Sequence, residues 1–242
     1  MENISQVKYS HGSFLKLQTA VQSLLSQIKR QKLEKLEKWY LKKRKRVIKS
    51  DDEDDDIPDM PSTISSAALV TAYESMYNEI STNASDNING FQYTRQNISV
   101  INQEAMDYAE ENAADLITNI DETTMSMISG DILDALQNGD SWGSLSKVLQ
   151  DNYAFSRQRS ELIARTESKI AMGQGNLSIW KKAGVKGKQW LLSNDENECS
   201  DCSGNEDDGV IGIDEEFSDG SDTTPSHPHC QCSVIAVNGD EE

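Results

Sequence analysis

His227-Pro228-His229-Cys230-Gln231-Cys232, HPHCQC in one-letter code, holds two of the three histidines and two of the four cysteines of a 242-residue chain. The other two cysteines stand upstream as Cys199-Ser200-Asp201-Cys202. In a Cys-x-x-Cys knuckle two thiolates converge on one ion, and nearby backbone N–H groups satisfy the sulfurs. Structural zinc takes four nitrogen or sulfur ligands in a tetrahedron. Cys199, Cys202, His227, Cys230 and Cys232 are five candidates for those four places. The intervening loop is long and polar, with little core of its own. An ion would therefore be its main fixed point.

Two other readings stand beside structural zinc. Disulfides could join Cys199 and Cys202 to Cys230 and Cys232 in an oxidised particle. Catalysis is the other, but no His-Glu-x-x-His helix and no His-x-Glu before Pro-Cys-x-x-Cys occurs. A cysteine nucleophile needs a base and an orienter, and His229 beside four thiols makes a poor isolated dyad. No enzymatic activity is expected; the alternative is a zinc-dependent hydrolase or transferase.

Outward from this stretch, charge divides the chain. Residues 1–50 hold 13 Lys/Arg and 3 Asp/Glu, whereas the whole chain is at −18. From Trp190 to Glu242 there is no Lys or Arg. A zinc module built to read DNA carries basic residues, so the Cys/His module is not expected to be a DNA reader. MENISQVKYS lacks the apolar h-region of a secretory leader, and no stretch approaches the ~18 apolar residues of a membrane span. A reducing cytosol is the default expectation, where Cys clusters read as metal-binding or catalytic sooner than as disulfides.

The organisation reads as a basic amphipathic helical arm (1–50), an acidic linker (51–61), a helical body (62–183) and an acidic Cys/His module (184–242). The fold class is mainly α with a small C-terminal α+β module. Phe14, Leu17, Val21, Leu24 and Ile28 form a heptad seam that can pair two copies of the chain. Lys42, Lys43, Arg44, Lys45 and Arg46 close the predicted helix. They are either a solvated face or a contact to DNA or an acidic protein surface. Six consecutive acids from Asp51, then Pro58 and Pro61, end the arm. Ser62 or Thr63 is predicted to cap a helix to about Ile80, and residues 81–90 to form a loop. A stop and restart is expected at Asn119–Thr124, with Asp121 as N-cap. Asn138–Ser141 separates two further helices, and the last long helix spans Phe155–Lys182. Arg165 and Glu167 should face different sides of it, with Glu161 and Arg165 paired on the surface. Short strands are expected at 188–192, 209–213 and 233–237.

An ordered set of residues then carries a resemblance. Ile120-Asp-Glu-Thr-Thr124, Asn138-Gly139, Ile163-Ala-Arg-Thr-Glu167, Gly173, Trp180, Ala183-Gly184, Trp190, Cys199-x-x-Cys202, Glu216-Phe217 and Pro225-x-His227-Pro-x-Cys230-x-Cys232 follow in that order. Over roughly residues 100–237 the chain resembles the phage Mu F-like head morphogenesis family of minor capsid proteins. The resemblance implies a low-copy protein of tailed-phage heads or prophages that acts with portal, capsid and scaffold proteins during assembly. The places expected are the virion and, during assembly, the host cytoplasm. Some members are packaged and associate with DNA or its ejection, which also leaves a reading as a DNA-binding accessory factor through the basic helix. The family's ending is often His-Pro-Asn-Cys-Arg-Cys. This chain has His229 and Gln231 there, so a basic contact is missing.

Overall fold

The computed structural model describes residues 3–4, 10–47, 57–58, 60–86, 95–193 and 199–237. Its elements, in order, are β1 (Asn3–Ile4), α1 (His11–Val47), α2 (Ala67–Asp86), α3 (Arg95–Gln137), α4 (Trp142–Asp151), a 3-10 turn at Tyr153–Phe155, α5 (Arg157–Lys182), β2 (Gly187–Leu191), α6 (Ser200–Asp207), β3 (Val210–Gly212) and β4 (Ser233–Val237). The expected class, mainly helical with a small C-terminal α+β module, is the observed one. Among the described residues no helix is long and apolar enough to cross a membrane.

The stretch expected as an arm is built into the bundle. Leu17, Val21, Leu24 and Ile28 of α1 are buried in one cluster with Leu69, Tyr73 and Met76 of α2, Ala113 and Ile120 of α3, and Ala164 and Ala171 of α5. Leu17, Val21, Leu24 and Ile28 of the heptad seam are thus buried within the chain beneath three neighbouring helices, and Phe14 is partly buried beside them. Further along α1, Leu36 and Tyr40 pack with Ile128, Ile132 and Leu136 of α3 and with Leu145 and Leu149 of α4. Tyr40 also donates its hydroxyl to the Asp140 carbonyl at 3.0 Å, fixing the α3–α4 turn.

The expected break at Asn119–Thr124 does not occur, and α3 runs through it. Asp121 caps nothing. Its carboxylate accepts from Lys32 Nζ at 2.9 Å and from the Ser62 amide at 3.3 Å. Thr124 accepts from Arg159 Nη1 at 2.7 Å, and that guanidinium also reaches the Ala154 carbonyl at 2.6 Å. Polar residues that would terminate an isolated helix serve here as anchors to α1 and α5. The segment after the acidic run follows the same logic. Gln31 and Thr63 exchange hydrogen bonds of 2.7 and 2.8 Å, and Lys32 donates to the Met60 carbonyl at 3.1 Å. Ser62 and Thr63 do not cap α2, because the helix starts only at Ala67, beyond the reach of their side-chain oxygens. It then continues to Asp86, so the predicted loop is helical over its first part, and residues 87–90 lie outside the described residues. Asn138–Ser141 behaves as expected: Gly139 adopts φ 69 and the Ser141 side chain accepts from the Ser144 amide.

The sheet is antiparallel with order β1-β4-β2-β3. Central β4 pairs with β2 from Gly187↔Val237 to Leu191↔Ser233, and the two residues of β1 add to its other edge. The three predicted strands are present within a residue or two of their expected ends. Trp180 at the end of α5 packs with Trp190, Phe217, Val234 and Ala236, so the long helix and the sheet share one core.

Candidate metal centre

The knuckle is organised by a helix that the sequence does not announce. Cys199 is the N-cap of α6, and its sulfur accepts from the Cys202 amide at 3.3 Å. That turn places both thiols on the side facing the 225–232 loop. On the loop, the Cys230 amide donates to the His227 carbonyl at 3.1 Å, and His227 Nδ1 lies 2.8 Å from the Pro228 carbonyl. Nδ1 thus carries the proton, and Nε2 is left as the donor nitrogen for a metal. Cys232 immediately precedes β4, whose pairing with β2 fixes it.

The loop is pinned by a polar hub. Asn205 of α6 accepts from the Asp219 amide at 3.1 Å and donates to Ser226 at 3.4 Å. Asp219 accepts from the Ser221 amide at 2.9 Å, from the Ser221 hydroxyl at 2.6 Å and from the Ser226 hydroxyl. Burial pushes the Asp219 carboxyl up, but hydrogen bonds from Ser221, Ser226 and Asn205 outweigh it and hold the group below its ordinary value. Gly173 lets α5 approach this loop: a Cβ there would meet the Thr224 carbonyl oxygen and lie 2.8 Å from Thr223 Cγ2. Lys169, one turn earlier, donates to the Cys230 carbonyl. Burial lowers its pKa, with the neighbouring thiols opposing.

Two triangles of ligand atoms result, Cys199–Cys202–His227 and Cys202–Cys230–Cys232, each within 4.8 Å and sharing Cys202. All five sequence candidates therefore meet at one corner. His227 Nε2 is 3.2 Å from Cys199 Sγ and 3.4 Å from Cys202 Sγ, and Cys202 Sγ is 3.9 Å from Cys230 Sγ. A tetrahedral zinc with bonds of ~2.3 Å to sulfur and ~2.0–2.1 Å to nitrogen has edges of about 3.8 Å between sulfurs and about 3.5 Å between sulfur and nitrogen. The donor set and its spacing fit such an ion. All four cysteines are free thiols, so the disulfide pairing is not the state seen.

Electrostatics agree with this geometry. Burial, followed by the neighbouring thiols, pushes the Cys202 thiol up, and burial does the same to Cys230. The Cys202 amide, by contrast, holds Cys199 below its ordinary value. Packed thiols resist becoming thiolates together, and a coordinated cation reverses that balance. His229 is exposed and belongs to neither triangle. Its backbone lies at φ 68, in the left-handed region where Asn and His are enriched among non-glycine residues.

The remaining sequence candidates lie far along the chain, on the last turns of α1. Lys42 is exposed and Lys43 half-buried, while the side chains of Arg44, Lys45 and Arg46 lie outside the described residues. Sequence reasoning missed α6 and Lys169. Cys199-x-x-Cys202 was the available signal for the first, because a Cys sulfur can cap as a Ser hydroxyl does.

Among curated proteins and solved structures nothing matches the chain. The family described as Phage Mu protein F like protein matches over residues 126–235. That span is narrower than the 100–237 read from the motifs, and it includes every Cys/His candidate. Residues 126–235, running from the second half of α3 into β4, are therefore phage Mu protein F-like in sequence.

Proposed function

We propose that this protein is a minor head protein of a tailed phage or prophage, acting with portal and capsid proteins in head assembly, and that one structural zinc ion clamps its C-terminal module. The observation that carries the reading is the meeting of Cys199, Cys202, His227, Cys230 and Cys232 at zinc spacing inside the segment matched by the phage family. Zinc would be held by Cys199, Cys202 and His227 with Cys230 or Cys232 as the fourth ligand, and would fix the polar loops that α5 and the sheet only partly cover. A closed set of protein donors with one to spare supports a structural role, since a catalytic zinc keeps an open position. In this reading the virion is the protein's destination. The basic end of α1, Lys42 to Arg46, is then a contact for an acidic protein surface or packaged DNA.

Metal content and thiol reactivity, measured together on protein purified under reducing conditions without chelator, test the clamp. About one zinc per chain is expected, with thiols that react only after chelation or denaturation. No metal and four freely reactive thiols would remove it. His229→Ala should leave the metal in place, and a turnover lost with metal retained would favour an enzyme instead. Co-purification with portal and capsid proteins from assembling heads tests the wider role, and its absence from heads and portal complexes would defeat it.

A further inference from the structure

Beside the metal corner, α5 and the 225–231 loop enclose a cleft of about 100 Å³. Arg165, Thr166 and Lys169 line its helix side, and His229 and Gln231 line its loop side. Each of these side chains can donate a hydrogen bond. Such a cleft is unexpected in a chain at −18 with no Lys or Arg after Lys188, and α5 supplies the cations across the seam.

The donors are only partly used. Glu161 Oε1 accepts from Arg165 Nε at 3.2 Å and Nη2 at 2.7 Å, the guanidinium lies 6.0 Å from the Phe14 ring centroid, and Nη1 has no hydrogen bond among the described residues. Lys169 gives one hydrogen to the Cys230 carbonyl, leaving two. The His229 imidazole has no hydrogen bond among the described residues, although its backbone is held in the left-handed region. Glu161 is the one carboxylate paired with these cations among the described residues.

We propose that this cleft is an oxyanion site that takes a single phosphate group. Its volume is well below the ~300–1,000 Å³ of pockets for whole small molecules, so it admits one functional group. A guanidinium edge, an ammonium, a hydroxyl and an imidazole suit a tetrahedral oxyanion with several acceptor oxygens. The acidic module around the cleft repels a long polyanion, which favours free or terminal phosphate over the middle of a duplex.

His227 and Cys230, two of the candidate zinc ligands, also line the cleft, so metal content is followed alongside every phosphate titration. The probes are inorganic phosphate and acetate, titrated into the full chain by calorimetry, with the His229 ring followed by NMR. Saturable phosphate binding that shifts the His229 resonances is expected. Arg165→Gln should weaken it about tenfold, the loss of one charge-assisted hydrogen bond. His229→Asn, which keeps a residue tolerant of the left-handed turn, should weaken it measurably, and Lys16→Gln on α1 should not. Metal content and circular dichroism, unchanged in these variants, would separate loss of the cleft from loss of the clamp. No saturable binding, or equal binding by all variants, overturns the site. Acetate binding as tightly as phosphate overturns the phosphate assignment. Displacement by a 5′-phosphorylated dinucleotide identifies a nucleic-acid end as the source, and failure to displace identifies free phosphate; both outcomes keep the site.

Discussion

Gly173 and Gly130 are both helical glycines, and the same substitution should act on them with opposite sign. At Gly173 an added methyl meets the Thr224 carbonyl oxygen and the Thr223 side chain, in a loop pinned on one side by Lys188 on the Asp222 carbonyl and on the other by Asn205 on Ser226. Gly173→Ala should cost about 1–3 kcal/mol, as overpacking does. At Gly130 nothing lies within 4 Å of the added atom, so Gly130→Ala in α3 should gain about 0.5–1 kcal/mol from helix propensity. Denaturant titration of both variants checks this, and the same sign at both positions would contradict it. Glu167 gives a second prediction at this scale. It accepts from the Tyr73 hydroxyl at 2.5 Å, with Tyr108 edge-on to Tyr73. Burial raises the Glu167 carboxyl, and the Tyr73 hydrogen bond only partly opposes it. Between the ordinary glutamate pKa and the raised folded value, the unfolded chain has lost a proton that the folded chain keeps. Stability from this group is therefore full below that window and falls as pH rises through it. Glu167→Gln should flatten that slope in a pH series of melting temperatures, and an unchanged slope would refute the assignment. The helical period placed Glu167 and Arg165 on different faces, and that much was legible. Which face met Tyr73 and Tyr108 was not, because those tyrosines come from other helices.

At the scale of elements, α3 shows where local rules yield. Asn119–Thr124 reads as a stop because Asp and Thr favour caps over helix interiors. In the bundle those side chains find Lys32 and Arg159, and the helix continues. Lys32 and Asp121 form a buried pair, with Lys32 fully buried. Lys32→Met alone should cost about 3–5 kcal/mol, because it leaves a buried carboxylate without its cation. Adding Asp121→Leu should recover most of that loss, since a hydrophobic pair of similar size replaces a buried ion pair at little cost. A urea double-mutant cycle measures the coupling, and a neutral single variant would show that the pair carries nothing. The α3–α4 turn was read correctly because Gly139 and Ser141 act within a few residues of themselves. Helix α6 was missed because its eight residues carry no apolar stripe; it is set by a cysteine cap and by packing on β2.

At the scale of the molecule, burial of the first helix changes what truncation should do. Removing residues 1–47 deletes Leu17, Val21, Leu24, Ile28, Leu36 and Tyr40 from two core clusters. The remaining chain should lose cooperative thermal unfolding, whereas a detachable arm would leave the melting transition intact. Pairing of β1 with β4 ties the start of the chain to the C-terminal sheet, and no local pattern in two residues could signal it. The helical class, the three C-terminal strands, the α3–α4 turn and the five metal candidates were determined by sequence alone. Each depends on spacing, periodicity or a turn residue acting over a short reach. Only the tertiary structure decided that the basic helix is core rather than arm, that polar residues in α3 are anchors rather than breaks, and that two distant Cys/His pieces share one corner. Those outcomes turn on which surfaces meet, and burial is set by contacts between segments far apart in the chain.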